Sequence, residues 1–523
     1  MKNFKIILLT IIATLVYSCD IDEDPIFLDP TATYSDISIA SGALDGIYQG
    51  LTTYNSMEQR IFAINGFSGF FTTGKQGNNI NNVNNQNLFS LKPAYDRDSE
   101  NTWRGIYAVI GRCNGAINNI TTFESPTSDT EKGFNDISGQ AYFVRAWSYF
   151  SLVRLWGDIP LLLTVPESDN LSTAKTTAKE VYAQIIQDAQ MAKTLVSEDF
   201  VILPLPEPGS PDIINDQSGR GYPRKHAASM LLAKVYMTLA TNPDLQADDL
   251  SENNYWQMAY NEAYAAYGKY GLVADYGSLF TDEFENSIES IFELQISQQA
   301  ANSQMGRNYT PWKYKLGNHF GWLRVSADVF LDHQSTYPDD PRLTGTYLYD
   351  YVRADTGGPV KVYPAFANRA TFPKAHPYLF KFTEKDPTHN NQFGDQNVII
   401  YRYAELLIML AEISNELQNG QQLGFITEVL DRVGMSNDAY LGDQATFRDA
   451  IMNEYRFEVL GEGEDAHNNR RRGFDYFLTH TINKHNNNPI FSANVDIQLS
   501  TDPAQVMQLP IPLSEINSND LID

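Results

Sequence analysis

The sequence predicts a predominantly all-α protein: a scaffold of helical hairpins carrying a large, irregular, loop-rich region. Three observations lead there. Apolar residues recur at steps of three and four through most of the chain. Several of these segments are joined by short polar connections, which sets neighbouring helices antiparallel as in tetratricopeptide arrays, although no strict 34-residue repeat is present. Two stretches, 65–98 and 297–398, abandon the helical period for Gly, Asn, Pro and aromatic residues.

The leader comes first. Lys2 and Lys5 precede an apolar run, Ile6 to Val16, that is shorter than the ~20 apolar residues a membrane-spanning helix needs and has the build of a secretory signal. Val16, Tyr17 and Ser18 then lead into Cys19, which resembles a bacterial lipoprotein box. Cleavage before Cys19 would leave it as the acylated N-terminus, a lipid attachment that several acyl chains make stable. The organisation that follows is a signal peptide over 1–18 and one domain over 19–523. A plain signal with an incidental cysteine is the alternative. The chain has only one other cysteine, Cys113, expected as a reduced packing residue rather than half of a disulfide.

Charge narrows the function classes. The net charge is −26, and without Lys2 and Lys5 the balance is 36 basic to 64 acidic residues, or −28. Such a field repels polyanions, so nucleic acid is not an expected partner. The acidic stretch Asp20, Asp22, Glu23, Asp24 reads as a solvated tether or an export tag.

The helices follow in order: 36–54, 100–122, 134–156 and 178–196. In "RKHAASMLLAKVYMTLA" Ala228, Leu231, Leu232, Val235 and Leu239 form one stripe. In "YWQMAYNEAYAAY" Ala259, Ala263 and Ala266 share a face that a neighbouring helix can approach closely. In "YRYAELLIMLAEISNEL" Ala404, Leu407, Ile408 and Ala411 make the stripe while Glu405, Glu412 and Glu416 are expected to face away. Further helices are expected over 421–433 and 444–460. Loops as long as 65–98 and 297–398 are usually functional or disordered, and their aromatic content argues against disorder.

Catalytic and metal motifs are weak. "GFFTTGKQ" has the glycine and lysine spacing of a P-loop, but Gln76 replaces the magnesium-binding hydroxyl and "GNNINNVNNQN" is a poor helix start. Asp20, Asp22 and Asp24 are spaced like a calcium loop, yet Pro25 takes its glycine position and Thr31 its glutamate position. His480 and His485 have no nearby cysteines and the chain has no HExxH, so zinc is not implied. No GxSxG elbow is present, and carboxylates are too abundant for any pair to stand out as a glycosidase acid and base. The sequence implies no catalytic residue, metal or cofactor.

The segment "AYFVRAWSYFSLVRLWGDIPL", Ala141 to Leu161, resembles the most diagnostic segment of the SusD/RagB family. "RKHAASMLLAKVYMTLA", "AYAAYGKYGLVADYGSLF", "ESIFELQ", "YRYAELLIMLAEISNEL", "IMNEYRFEVLGEG", "GFDYF" and "LPIPLSEI" follow in the family's order. Read from the residues alone, Phe143, Trp147 and Phe150 share a core face, Gly157, Asp158 and Pro160 stop the helix, and Arg145, Arg154 and Glu405 are interhelix partners. The chain departs from the pattern at Tyr455, where arginine is frequent, and in "EDAHNNRRR". The resemblance implies a non-enzymatic outer-membrane surface lipoprotein that captures oligosaccharides and sits over a SusC-like TonB-dependent transporter.

The candidate glycan surface is "RNYTPWKYKLGNHFGW", with Tyr309, Trp312, Tyr314, Phe320 and Trp322 in a stretch lacking a helical stripe. The resemblance places sugar platforms in this same region and in the earlier loop, here Phe70 and Phe71. Arg307, Asn79 and Asn318 are candidate polar partners. Flat rings suit the C–H faces of sugars, while amides and charged groups suit the hydroxyls. Two rival readings are an α-helical glycoside hydrolase or polysaccharide lyase, and a helical-repeat scaffold or family member that binds protein or peptide.

Overall fold

Helices form where the periodicity places them. The computed structural model describes residues 34–52, 65, 67–73, 97–165, 172–197, 222–296, 305–317, 319–321, 323–361, 376–385, 394, 396–489 and 499–522. Its principal helices are α1 (Ile37–Thr52), α2 (Arg97–Asn119), α3 (Asp129–Trp156), α4 (Ala178–Leu195), α5 (Lys225–Ala240), α6 (Glu252–Ala266), α7 (Ala327–Thr336), α8 (Tyr403–Leu417), α9 (Gln422–Val433), α10 (Gln444–Glu458) and α11 (Asp465–Arg470). Each of α1 to α5 packs on the next, and α8 then packs on α6, α9 and α10. This is the tetratricopeptide-like helical architecture.

Local chemistry sets the ends. Capping boxes start α3 (Ser128 with Glu131), α4 (Thr177 with Glu180) and α6 (Ser251 with Asn254), each satisfying orphan backbone donors. Gly157, at φ +74°, ends α3, a backbone conformation that favours glycine. The C-terminal "LPIPLSEI" segment returns to that end, where Leu509 N–H donates to Leu155 O at 2.7 Å and the Trp156 indole donates to Pro510 O at 3.0 Å.

Phe143, Trp147 and Phe150 are core residues, as their shared face implies. Arg145 makes a two-pronged pair with Asp188 at 2.7 Å for both contacts, and Arg154 pairs with Glu464 at 2.7 Å. Cys113 is a buried free thiol, and burial pushes its proton affinity well up.

Two expectations about helix faces are corrected. The stripe read on α5 understates its burial, because every residue from His226 to Ala240 is buried. On α8, Glu405 and Glu412 do not face solvent. Glu405 is ion-paired to Lys234 of α5, which is the interhelix partnership read for it, and Glu412 accepts from Arg471 and Arg472 beyond α11 and from the Tyr455 hydroxyl at 2.9 Å. Tyr455 and the "EDAHNNRRR" departure are thus joined through one buried carboxylate.

The irregular regions are tied in by short strands: β1 (Phe71–Thr73), β2 (Ser290–Leu294), β3 (Leu323–Val325), β4 (Tyr347–Leu348), β5 (Asp350–Val352), β6 (Pro359–Lys361), β7 (Tyr378–Leu379) and β8 (Val398–Arg402). An antiparallel β2–β8 pair closes the ends of the second region, and the order β1–β3–β7–β4 pairs the first region with the second. β5 and β6 form a separate hairpin.

A buried cluster of charges joins this layer to the helices. Glu458, at the end of α10, accepts from Arg402 at 2.6 Å, from Arg342 at 2.9 Å and from Arg432. Arg402 also reaches Glu289 at 2.8 Å and Glu462 at 2.7 Å, and Lys381 donates to Glu462 at 2.7 Å and to the Glu458 carbonyl at 2.8 Å. Arg342 is completed by Asp340 at 2.7 Å and by Glu454. Burial opposes the charge on Glu458, but the three guanidiniums hold its carboxyl well below the usual carboxylate range. Glu454 moves the other way, raised by burial.

These environments set the response to pH. Burial holds His333 down at about 4 and His376 at about 3, so the unfolded chain takes up those protons first as pH falls below 6.5. Glu412 and Asp328, held at about 2 against burial by the guanidiniums around Glu412 and by His485, contribute stability that is present above the ordinary carboxylate value and lost as pH falls toward 2. Glu293, raised by burial to about 7, acts oppositely and gains stability between pH 7 and 4.5. Tm is therefore expected to change little from pH 7 to 4.5 and to fall steeply below that. Thermal unfolding across pH 7 to 3 checks this, and a steep loss already complete by pH 5 would contradict it.

Candidate glycan-binding site

The stretch around Trp312 begins with a short helix, Met305–Tyr309, and turns at Pro311–Tyr314, where the Tyr314 N–H donates to Pro311 O at 3.0 Å. Lys313 sits in this turn at φ +65°, a conformation costly for a residue with a side chain. The β5–β6 hairpin braces it: Ala354 N–H donates to Lys313 O at 2.9 Å, and the Tyr351 hydroxyl approaches Trp312 O at 3.4 Å. Beneath lies an aromatic layer in which Tyr314 meets Tyr351 edge-on at 5.6 Å and Tyr351 meets Tyr378 edge-on at 6.2 Å.

On this support Trp312 is 56% exposed, a large value for an indole. The Arg353 guanidinium lies 4.9 Å and the Lys313 ammonium 5.2 Å from its ring centre. Arg353 grips Asp355 through two hydrogen bonds, at 2.9 and 2.7 Å, with Lys313 at 3.8 Å from the same carboxylate. Arg353 holds the Asp355 carboxyl below its ordinary value. Val352 and Leu316 are also exposed. The result is a solvent-facing ring bordered by fixed hydrogen-bonding charges.

The remaining candidates divide. Tyr314 is half-buried in the layer below Trp312. Phe320 and Arg307 are half-buried against each other, with the guanidinium 4.2 Å from the ring centre and the Phe320 N–H donating to Arg307 O at 2.8 Å. Tyr309 is corrected to the core: it is fully buried, its hydroxyl accepts from Asn65 at 2.8 Å and its ring packs on Phe382 at 5.2 Å. Phe70 and Phe71 are likewise corrected. Both are buried where β1 pairs with β3, with Arg456 over the Phe70 ring at 5.4 Å, so neither offers a face to a ligand. Trp322, Asn318, Asn79 and Cys19 lie outside the described residues.

Arg353 and Asp355 were missed by sequence reasoning. A signal was there: "DYVRADTGGPVK" places a glycine pair between two short runs of strand formers, and Gly357 takes φ +69° at the hairpin turn. Among the described residues no group of three His, Cys, Asp or Glu side chains is arranged to hold a metal ion.

The fold is a helical scaffold of the tetratricopeptide-like class that displays an exposed aromatic from a braced loop layer. The SusD family pattern matches residues 288–523, and a related SusD-like pattern described as starch-binding associating with outer membrane matches residues 23–209. The chain belongs to the SusD/RagB family. It is 24% identical over 496 residues to SusD-like protein P2 of Formosa agariphila, covering 88% of this chain and 89% of that one. A SusD superfamily protein from Parabacteroides distasonis superposes with a TM-score of 0.70 at 20% identity, covering 93% of this chain and 98% of the other. Surface glycan-binding protein A from Bacteroides uniformis gives 0.68 at 19% identity, covering 93% and 99%. The family is one of glycan binding and of association with the outer membrane.

Proposed function

We propose that this protein is a surface-anchored lipoprotein that captures oligosaccharides and passes them to a SusC-like TonB-dependent transporter in the outer membrane. The observation that carries the reading is the exposed Trp312 ring bordered by Arg353, Lys313 and Asp355, in a chain of a glycan-binding family. A sugar ring can stack its C–H face on the indole while its hydroxyls meet the guanidinium and carboxylate. Aromatic contacts worth roughly 0.5–1.5 kcal/mol and a few hydrogen bonds of about 1 kcal/mol net support micromolar to millimolar affinity, suited to capture followed by release.

Binding rather than catalysis is favoured by the state of the Asp355 carboxylate beside the ring. Asp355 is committed to Arg353 and Lys313 and its carboxyl is lowered, whereas a glycosidase acid needs a raised one. The anchor is assigned to Cys19, which would hold the protein at the membrane and raise its concentration over the transporter.

The test takes a glycan panel, a calorimetric titration and thermal unfolding of two variants. Trp312→Ala is expected to weaken binding by about 5- to 100-fold with little loss of stability. Tyr309→Ala is expected to cost about 3–5 kcal/mol of folding stability while the folded fraction binds normally. Unchanged glycan affinity in Trp312→Ala would move the site elsewhere, and release of product from the glycan by the wild type would make the protein an enzyme.

For the anchor, Cys19→Ser should abolish lipid labelling and move the protein from the detergent phase to the aqueous phase. Retention of a correctly processed variant in the membrane fraction would contradict acylation there.

A further inference from the structure

The surface around Trp312 carries the opposite charge to the chain as a whole. Residues 305–326 hold four basic side chains, Arg307, Lys313, Lys315 and Arg324, and no acid, in a chain with 64 acidic residues against 38 basic. Lys315 is buried, 3.9 Å from Glu384, and Arg307 and Arg324 lie over the rings of Phe320 and Tyr378. On the hairpin, Asp350 and Lys361 face each other across β5 and β6 at 3.2 Å and cancel. Lys313 and Arg353 are left to share one carboxylate, Asp355, so one positive charge stands in excess beside the indole.

The same three groups leave donors over. Arg353 spends Nε and Nη2 on Asp355, and its Nη1 makes no hydrogen bond among the described residues. The Lys313 ammonium, 3.8 Å from that carboxylate, lies beyond hydrogen-bond distance from it. Both side chains are about a third exposed, and both stand within 5.2 Å of the Trp312 ring centre. A sugar hydroxyl can accept from such donors, but a carboxylate or sulfate accepts with full opposite charge, in shorter and stronger bonds.

The backbone adds a second observation. Lys313 holds φ +65°, where glycine would serve the turn without steric cost. Strain of this kind collects at ligand clamps. The net charge of −26 does not cancel the local excess at contact, because charges farther than ~8 Å are largely screened at physiological ionic strength.

We propose that the Trp312 surface prefers anionic oligosaccharides, those with a carboxylate or sulfate on the sugar ring, over neutral ones. This deepens the glycan-capture reading and rests on it. The sugar stacks on the indole while its anionic group accepts from Arg353 Nη1 and Lys313 Nζ.

The test screens the mature protein against an array of neutral, uronate-bearing and sulfated oligosaccharides. The tightest ligand is expected to be charged. Titrated beside its own methyl ester or desulfated form, it should bind roughly 10-fold or more tighter, and which neutralisation matters tells carboxylate from sulfate. Added NaCl should erode the difference. Lys313→Gly is expected to cut the preference by about 5-fold or more with Tm little changed, since glycine takes that turn freely, and Arg353→Gln should also cut it. A tightest ligand that is neutral, equal binding of the charged ligand and its neutralised form, or a preference that survives in both variants would overturn the proposal. If that neutral ligand is lost in Trp312→Ala, capture at Trp312 stands and only the anionic preference falls; absence of any ligand on the array would overturn both.

Discussion

The rest of the structure depends on one buried carboxylate shared by three arginines. Glu458 faces Arg342 from the irregular region, Arg402 from the strand that closes it and Arg432 from α9. Burying charge is expensive, and such a cluster is retained only if geometry and hydrogen bonding compensate. Here they do so by joining distant parts of the chain. Removing one member would strand the others in a medium that cannot solvate them, so the cluster specifies where the loop layer sits as much as how firmly it is held.

The candidate surface follows from that constraint. Arg342 opens the short helix that runs into β4, and Lys381 follows β7 by two residues. The cluster therefore fixes the two paired strands that carry Leu348 and Tyr378. Tyr378 and Tyr351 make the floor on which Tyr314 packs, and the turn bearing Trp312 is bound to the hairpin above that floor. An indole can be exposed without its loop collapsing because its backbone is held from below. Regular structure contributes little here, since the strands are two or three residues long.

Helix positions were legible in the sequence because α4, α9 and α10 each keep a polar face, and because α3, though buried on most sides, starts at a capping box and stops at Gly157. The surroundings of α5 and α8 were not. A helix buried on every side hides charge partners among its apolar residues, and a glutamate such as Glu412 looks solvent-facing until Arg471 and Arg472, some sixty residues away, are placed beside it. The aromatic segment was legible as a region and only partly as a site. A ring's identity does not reveal which face is covered, and Tyr309, Phe70 and Phe71 are covered by pairings between the two irregular regions that local pattern does not encode. Trp312 differs because its neighbours in sequence form a turn that directs it outward.

The central claim is that the charge cluster, rather than the short strands, holds the loop layer on the helices. Native-state hydrogen exchange of Arg342→Met against the wild type tests it most directly. The account predicts that amides of β4, β7 and the 311–314 turn lose protection while α2 to α6 keep theirs. Equal loss across the whole chain, or unchanged protection in the loop layer, would contradict it.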